Sequence, residues 1–408
     1  MFTGSVIEAN GQYHIFYTGH NPHFRKAGKP EQAVMHAVSD DLLRWRKVPA
    51  DTFYAPADKY EPHDWRDPFV FWNDETKEYW MLLAARFKTG IPRRRGCTAL
   101  CASKDLVKWE VREPFWAPDL YFTHECPDLF KIGDWWYLVF SEFTDLVRTH
   151  YRMSRSLKGP WLVPKNPNFD ARAFYAAKTA SDGQRRFIFG WDPTRQESKD
   201  YYRWHWGGNL VVHEIHQETD GELSVSIPKT VDGAFNRQVP FKFEKGVGNI
   251  KTGRNDVRVV APGSFGCVGA EGMMPERCKI QTRIEYEKGT KGCGLMLRAS
   301  DDYDRAYYIR LEPQSNRLVF DMWPRGAGDA HPITSADGAF MLDLERSIDL
   351  TSNQPIDLTV LVDGTIGIVY AGGKVAMSTR MYNLPKGQWG VFANEGSAHF
   401  RNLGLSMI

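Results

Sequence analysis

Two short motifs place an acidic residue one or two positions before proline, ahead of an apolar strand-like run. One is Arg66-Asp67-Pro68 and the other is Glu125-Cys126-Pro127. Two carboxylates on either side of a glycosidic bond are the usual machinery for its hydrolysis. Each motif alone also has a structural explanation, because Asp-Pro is common in turns and Glu125 fits a solvated loop carboxylate. The motifs therefore predict glycosidase chemistry only if the fold brings them together.

A third acidic motif has the same placement. Asp170 precedes Tyr175-Ala176-Ala177-Lys178, which opens another strand-like run. By themselves, Asp170 and Lys178 also fit a surface ion pair, which contributes little to stability. The third motif therefore supports the prediction of glycosidase chemistry only through its position in the repeats of the chain.

The first half of the chain repeats a turn followed by an aromatic-rich strand. This pattern occurs at residues 11–17, 77–83, 133–140 and 186–191. Two of these strands are followed by a second marker of the form Ser-x-Asp-Leu-x-x-Trp, at residues 39–45 and 103–109. A unit of roughly 50–60 residues, built from short strands, is typical of one blade of a β-propeller.

Equivalent positions of neighbouring blades meet at one end of a propeller's central channel. Because Asp67, Glu125 and Asp170 each precede the strand of a different repeat, we expect two or three carboxylates to face one cavity. Close like charges and apolar neighbours such as Cys126 raise the pKa of one carboxyl, which can then act as an acid.

The sequence pattern changes near residue 236. Residues 236–244 resemble a linker, and the strands that follow alternate without the blade markers. One hairpin is expected to turn at Asp363-Gly364. The sequence therefore predicts an all-β chain, with a propeller over residues 1–236 and a β-sandwich over residues 237–408.

Composition excludes several classes of protein. Lys and Arg number 52 against 50 Asp and Glu, so a formal net charge of +2 gives no electrostatic basis for nucleic-acid or polybasic membrane binding. No apolar run approaches the length of a membrane helix, about 20 residues. The six cysteines lack zinc-site spacing and are predicted to be buried free thiols. Because no signal peptide is recognisable, we predict a cytoplasmic location.

The motifs resemble those of the β-fructofuranosidase family of glycoside hydrolases, which includes invertases, levanases and inulinases. The resemblance covers essentially the whole chain and implies a five-bladed propeller followed by a β-sandwich. It implies that Glu125 is the general acid/base and that Asp67 stabilises the transition state by bonding sugar hydroxyls. The implied reaction is retaining hydrolysis of fructosyl linkages in sucrose or fructans, with no metal or cofactor.

Further residues acquire expected roles from the same resemblance. Phe2-Thr3-Gly4-Ser5 is similar to a family motif that lines the fructosyl pocket, so Phe2 and Ser5 are expected to bind substrate. Arg66 and Cys126 are also expected to bind substrate, because they belong to the two carboxylate motifs. Asp170 and Lys178 resemble a pair that contacts the sugar next to the cleaved bond. Arabinofuranosidases share the propeller and its carboxylates, but the Glu-Cys motif and the sandwich favour the fructosidases.

One part of the family pattern is missing from these 408 residues. The family nucleophile is an Asp, usually within Asn-Asp-Pro, and lies upstream of the motif that residues 2–5 resemble. No Asn-Asp-Pro occurs here, and no Asp precedes Asp40. Four repeats are countable where the family has five. We therefore expect the chain to lack the first blade or, if residues 11–17 are the strand of that blade, to start inside it.

The missing nucleophile leads to three expectations. Fructosyl hydrolysis by this chain is expected to be impaired, since the covalent step lacks its carboxylate. The alternatives are a non-catalytic fructan- or sugar-binding protein and a truncated fragment. An open propeller exposes blade edges, so a homo-oligomer is also an expected form.

Overall fold

The structure is a computed structural model that describes residues 1–172, 174–200, 202–323 and 344–408. Strands dominate these residues, and the only α-helices among them are α1 (Pro22–Lys26) and α2 (Lys229–Ala234). No helix in this part of the chain has the length and apolar character needed to cross a membrane. The six cysteines are buried and free, as predicted. The prediction of an all-β chain is confirmed.

Four antiparallel sheets of three or four strands fill the first part of the chain. The first holds β1 (Gly4–Ala9), β2 (Gln12–His20), β3 (Gln32–Ser39) and β4 (Arg46–Lys47). The second holds β5 (Tyr60–Asn73), β6 (Glu78–Phe87), β7 (Gly96–Ser103) and β8 (Glu110–Val111). The third holds β9 (Glu125–Ile132), β10 (Trp135–Glu142) and β11 (Arg148–Ser154). The fourth holds β12 (Tyr175–Ser181), β13 (Arg186–Arg195), β14 (Trp204–Gln217) and β15 (Leu223–Ser226).

The Ser-x-Asp-Leu marker forms the same turn in the first two sheets. The Oδ1 atom of Asp41 accepts the second and third backbone N–H groups after it, at 2.8 and 2.7 Å. Asp105 does the same at 2.9 and 2.8 Å. Leu42 and Leu106, which follow these aspartates, both have a left-handed backbone, with φ of 62° and 64°. The sequence repeat is therefore a structural repeat, and the four sheets are the predicted blades.

The first strands of the second, third and fourth sheets share a local distortion. Asp67, Cys126 and Ala176 have φ of 58°, 53° and 51°, a conformation that side chains other than glycine seldom adopt. In β5, the pairing with β6 shifts register between Arg66 and Phe69. Such irregularities redirect side chains and concentrate at functional sites. The three motifs therefore share one backbone distortion at the same position of their repeats.

Large apolar side chains hold the first two sheets together. Phe16, Tyr60, Trp65, Met81 and Leu83 belong to one core cluster and are at most 1% exposed. Burying one such side chain contributes roughly 1.5–3 kcal/mol to folding. This packing fixes the strand that carries Arg66 and Asp67.

The second part of the chain forms one 12-stranded antiparallel sheet that folds into the sandwich. Its strands are β16 (Arg237–Gln238), β17 (Asn249–Thr252), β18 (Val257–Gly269), β19 (Arg277–Tyr286), β20 (Gly292–Ala299), β21 (Ala306–Glu312), β22 (Arg317–Trp323), β23 (Leu344–Ser347), β24 (Ile356–Asp363), β25 (Ile366–Ala371), β26 (Val375–Arg380) and β27 (Gln388–Met407). The long β27 pairs with β20 in its first half and with β19 in its second half. The expected hairpin at Asp363-Gly364 is present, because Asp363 pairs with Ile366. The predicted sandwich is confirmed.

The chain divides into two compact units. One comprises Met1–Asn168 and Tyr175–Thr179, and the other comprises Phe169–Phe174 and Ala180–Ile408. The boundary runs through β12, so that β13–β15 lie in the second unit. The domain boundary at residue 236, inferred from the change of sequence pattern, stays a prediction.

Candidate active site

Asp67 and Glu125 lie together in the first unit, with Arg66 between them. Asp67 is on β5, and Glu125 is the first residue of β9. The Nη2 and Nε atoms of Arg66 donate to Oε1 of Glu125 at 2.9 and 3.1 Å, and Nε is 3.9 Å from Oδ2 of Asp67. Asp67 is 3% exposed and Glu125 is 9% exposed. The structure therefore brings both predicted carboxylates to one buried cation.

Two other segments of the chain hold Asp67 in place. Its Oδ2 atom accepts the backbone N–H of Cys126 at 3.0 Å, and the Cys126 Sγ is 3.8 Å away. Its own N–H donates to the Thr18 hydroxyl at 2.8 Å. No described residue donates a hydrogen bond to Oδ1. One carboxylate oxygen is thus fixed by the protein, while the other can accept from a sugar hydroxyl.

Tyr175 completes the coordination of Glu125. Its hydroxyl donates to Oε2 of Glu125, on the side opposite the Arg66 contacts. Tyr175 is the first residue of β12 and is 1% exposed. The sequence motifs gave this residue no role. Aligning the three motifs would have identified it, because Arg66, Glu125 and Tyr175 all precede the left-handed residue of their strand.

The electrostatics of the pair favour an acid at Glu125. Burial raises the pKa of Glu125, and the Asp67 charge adds to this, while the Arg66 guanidinium opposes it. Burial also raises the pKa of Asp67, against the opposing charges of Arg66 and Lys178. Two carboxyls beside one cation do not readily both ionise. Glu125 can therefore hold a proton at a pH where an exposed glutamate has lost it, as a general acid requires.

Replacing Tyr175 by phenylalanine tests this pKa control. The Tyr175 hydroxyl lowers the pKa of Glu125 by bonding its ionised form. We expect Tyr175→Phe to raise the pKa of Glu125, so that the loss of turnover at high pH moves to a higher pH. The pH profile of glycoside cleavage, the reaction that the carboxylate pair predicts, measures this. Tyr60→Phe is the control, since the buried Tyr60 hydroxyl has no hydrogen-bond partner among the described residues, and an equal shift in this variant would contradict the assignment.

Further charged and polar side chains bind Arg66 and hold it in position. Asp64 accepts from Arg66 Nη1 at 2.6 Å and from Arg86 Nη1 at 3.2 Å. Oε1 of Gln32 accepts from Arg66 Nη1 at 3.4 Å and from the backbone N–H of Trp65 at 2.9 Å. Charges of alternating sign thus run from Arg86 through Asp64 and Arg66 to Glu125. The sequence motifs indicated neither residue. Gln32 acts on the neighbouring blade, and Asp64 lies two residues before Arg66 on the same strand, outside the motif.

The N-terminal segment also reaches the carboxylate motifs. Phe2 stacks on His20 with a centroid distance of 4.5 Å and remains 45% exposed. The Ser5 hydroxyl accepts the N–H of Val70 on β5 at 2.9 Å. The Thr3 hydroxyl is 3.5 Å from the Cys126 Sγ. Phe2 therefore keeps much of its ring exposed, while Ser5 fastens β1 to β5.

Lys178 lies on β12, in the same unit. Its Nζ donates to the Pro127 carbonyl at 2.6 Å and is 4.6 Å from the centroid of the Phe69 ring. Pro127 and Phe69 belong to the two carboxylate-bearing strands. The first unit thus gathers seven of the eight predicted site residues: Phe2, Ser5, Arg66, Asp67, Glu125, Cys126 and Lys178. Their predicted contacts with a sugar stay predictions.

Asp170, the eighth predicted site residue, lies in the second unit and is held by other groups. Its Oδ2 atom is 2.8 Å from His213 Nε2 and accepts the Ser378 hydroxyl at 2.6 Å. Its Oδ1 atom accepts the Ser378 N–H at 2.7 Å, and the residue is 1% exposed. Although burial opposes it, hydrogen bonds from His213 and Ser378 hold the pKa of Asp170 below its ordinary value. These contacts are structural, and the predicted sugar contact of Asp170 stays a prediction.

Replacing Asp170 by asparagine tests the structural role. We expect Asp170→Asn to lower the free energy of unfolding at pH 7 by about 2–4 kcal/mol, because buried donors lose a charged acceptor. A depressed pKa stabilises the fold above the unfolded value, about 3.9, and this is lost as pH falls through the folded pKa. The difference from wild type in denaturant titrations should therefore shrink below about pH 4. Unchanged unfolding together with weakened sugar binding would assign Asp170 to the substrate instead.

No metal site accompanies these residues in the described parts of the chain, where no group of three or more His, Cys, Asp or Glu is arranged to hold an ion. The groups capable of chemistry at this site are the carboxyls, the Arg66 guanidinium and the Tyr175 hydroxyl.

A blade-bearing all-β fold with a buried carboxylate pair, one member of which can stay protonated, has the groups that glycoside hydrolysis uses. Two family models match the chain: the glycosyl hydrolases family 32 N-terminal domain over residues 1–225 and the family 32 C-terminal domain over residues 252–406. The chain belongs to glycosyl hydrolases family 32, and it is a glycosidase of fructosyl linkages. The predicted resemblance is confirmed, while the expected loss of a first blade stays a prediction.

Individual relatives agree with the family assignment. Sucrose-6-phosphate hydrolase from Escherichia coli is 24% identical, over 97% of this chain and 77% of the relative. Fructan 1-exohydrolase IIa from Cichorium intybus matches in structure with a TM-score of 0.71 at 16% identity, over 99% of this chain and 83% of that one. A Bombyx mori β-fructofuranosidase matches with a TM-score of 0.66 at 15% identity, over 100% and 79%. At such identities the structural matches show a shared fold.

Proposed function

We propose that Glu125 is the general acid/base of fructoside cleavage and that Asp67 binds fructosyl hydroxyls most tightly in the transition state. The observation that carries this proposal is the buried Arg66 bridge between the two carboxyls. Arg66 and Tyr175 occupy both oxygens of Glu125, which fixes the direction in which its proton is delivered. Hydrogen-bonding groups that are held in place and shielded from water stabilise most strongly the charge that develops in the transition state.

The substrate is a fructoside such as sucrose or a fructo-oligosaccharide. The names of the relatives support this choice, since they act on sucrose 6-phosphate and fructan, and one Bombyx mori variant is described in complex with sucrose. Glu125 protonates the oxygen that leaves the anomeric carbon and then activates water. With a carboxylate nucleophile, two such displacements retain the anomeric configuration.

We expect the covalent step to be impaired when these 408 residues are assayed alone, because they contain no Asn-Asp-Pro, the motif in which the resemblance places the nucleophile. Assayed alone on sucrose, inulin and levan, the chain should turn over roughly 10³–10⁶-fold below an ordinary enzyme, the range that loss of a nucleophile produces elsewhere. Ordinary turnover would contradict the impairment.

Added azide tests whether Glu125 still protonates the leaving group when the carboxylate nucleophile is absent. Azide can attack the anomeric carbon in place of a carboxylate, while the carbon–oxygen bond to the leaving group breaks and Glu125 protonates that oxygen. We expect turnover of sucrose to rise with azide concentration and to yield a fructosyl azide. Absence of this product over the whole azide range would count against an acid/base role for Glu125.

Sugar binding without turnover is the second candidate function. The observation that favours it is that the Asp67 and Glu125 network is complete while Asn-Asp-Pro is absent from the sequence. Titration calorimetry with a fructo-oligosaccharide should then show binding that Asp67→Ala weakens. Binding without azide-dependent cleavage would select this function over the hydrolase.

Other expectations of the sequence remain proposals. We propose a homo-oligomer from the exposed blade edges, and no nucleic-acid or membrane partner from charge and hydropathy; the cytoplasmic location also stays a proposal. Sedimentation velocity of the purified chain measures the oligomeric state directly.

A further inference from the structure

Arg86 is a buried cation that the proposed mechanism does not use. It lies on β6, next to the strand that carries Arg66 and Asp67, and only 7% of it is exposed. A buried charge is costly unless neighbouring groups compensate it. The contacts of Arg86 therefore indicate what its charge does.

Arg86 contacts three separate segments of the chain. Its Nη1 atom donates to Oδ2 of Asp64 at 3.2 Å, and its Nη2 atom donates to the Pro92 carbonyl at 2.7 Å. The guanidinium carbon lies 3.4 Å from the centroid of the Phe122 ring, three residues before Glu125. Arg86 thus bridges β5 and the segment that leads into the proposed acid.

Asp64 connects Arg86 to Arg66. Its Oδ2 atom binds Arg86, while its Oδ1 atom accepts from Nη1 of Arg66 at 2.6 Å. Arg66 in turn donates to Oε1 of Glu125 at 2.9 Å. Because Asp64 is only 8% exposed, water and salt screen little of the interaction between these charges. A change of charge at Arg86 therefore alters the electrostatic potential at Glu125 through two intervening side chains.

The charges of this buried network balance when one of its carboxyls is neutral. The guanidiniums of Arg66 and Arg86 face three carboxyls, which belong to Asp64, Asp67 and Glu125. Two ionised carboxyls compensate the two cations, so the third carboxyl retains its proton more readily. Removing one guanidinium leaves excess negative charge, which disfavours a further carboxylate. The balance therefore depends on Arg86.

Other titratable side chains lie around the carboxylate pair. They are Arg66, Cys126, Tyr175 and Lys178. Burial raises the pKa of Glu125, and the Arg66 guanidinium opposes this. Burial also raises the pKa of the Cys126 thiol, which therefore stays neutral. Because substitutions at Arg86 leave all of these side chains in place, their effect on Glu125 isolates the contribution of the more distant charge.

We propose that Arg86 is a positioning residue for the proton donor. It neutralises Asp64, so that the Arg66 guanidinium stays directed at Glu125. The proposal rests on the proposed function, in which Glu125 releases its proton and later takes one back. Arg86→Met leaves Asp64 as an uncompensated anion, so we expect the pKa of Glu125 to rise. Asp64→Asn removes the anion instead, so we expect the pKa of Glu125 to fall.

The ionisation of Glu125 can be measured in two ways. The pH profile of azide-dependent sucrose cleavage reports it through turnover. Carbon-13 NMR of protein labelled at the glutamate side-chain carboxyls reports it directly, with Glu125→Gln assigning the resonance. Both midpoints should move to higher pH in Arg86→Met and to lower pH in Asp64→Asn. In Arg86→Met/Asp64→Asn, which removes the two charges together, both midpoints should return close to those of wild type.

Two control variants separate charge from packing. Arg86→Lys keeps the positive charge, so its midpoints should stay close to those of wild type. Arg95→Met removes a cation from the turn between β6 and β7. Because Arg95 pairs with Glu61 at 2.9 Å, outside the contacts that lead to Arg66, this variant should leave the midpoints unchanged.

Shifts in the same direction in Arg86→Met and Asp64→Asn would overturn the proposal, because a merely structural role does not reverse with the sign of the charge removed. An equal shift in Arg95→Met would overturn it too. If Arg86→Met does not fold, Asp64→Asn still decides, since an unshifted midpoint in that variant contradicts the proposal. If azide supports no cleavage in any variant, the proposed function fails, while the NMR midpoints still decide whether Arg86 controls Glu125.

Discussion

Arg66→Met is expected to lower the free energy of unfolding by about 3–5 kcal/mol, because it leaves buried carboxylates without their counter-charge. Arg66 donates to both Glu125 and Asp64, and all three side chains are at most 12% exposed. Methionine fills a similar volume but provides no N–H donor. Denaturant titration of the variant against wild type measures the loss.

The matched control for Arg66→Met is Arg112→Met. Arg112 makes two hydrogen bonds to Glu78, at 2.9 and 3.0 Å, but its side chain is 33% exposed. A pair that water can reach contributes little, so the control should unfold almost as wild type does. The Arg66→Met deficit should be larger at pH 8 than at pH 5, since protonated carboxyls need no counter-charge. Equal losses in the two variants would show that burial does not set the strength of the Arg66 network.

The blades and the carboxylate pair could be predicted from sequence because both are periodic. Each Ser-x-Asp-Leu turn forms its own hydrogen bonds within a few residues, so its pattern survives in sequence. Arg66 and Glu125 occupy matching repeat positions, with Asp67 next to Arg66 in sequence, and matching positions of neighbouring blades meet. Short-range hydrogen bonds and the sequence repeat were together sufficient to predict this part of the site.

The partners of Asp170 could not be predicted in the same way. His213 and Ser378 are 43 and 208 residues away along the chain, and no periodic pattern links the three positions. Asp170 also stands five residues before β12, whereas Glu125 is itself the first residue of β9. An acidic residue that lies several positions before a strand is therefore weaker evidence for a site residue than one that adjoins or occupies the left-handed position of the strand.

Tyr175 shows the reverse case, in which a hydroxyl rather than a carboxyl occupies the register position. Searching for acidic residues passes over it, although its strand has the same left-handed residue next in sequence. The three equivalent positions supply a cation, a carboxyl and a phenol, and these bind one another. The repeat thus encodes the position of the network, while the chemistry of each member depends on the identity of one side chain.

Glu125→Gln is expected to reduce azide-dependent cleavage of sucrose by roughly 10²–10⁴-fold, the usual contribution of a general acid. Glutamine can still accept from Arg66, so the Oε1 contact and the fold are retained while the transferable proton is lost. The deficit should be much smaller for a fructoside whose leaving group is a stable phenolate, because that oxygen departs without protonation.

Glu142→Gln provides the control for a buried carboxyl without a chemical role. Glu142 is fully buried in the third sheet and accepts the backbone N–H groups of Thr144, Asp145 and Leu146. Its replacement should weaken folding and leave the ratio of rates on sucrose and the phenolic fructoside as in wild type. If Glu125→Gln also left this ratio unchanged, the loss would reflect altered structure, and Glu125 would not be the proton donor.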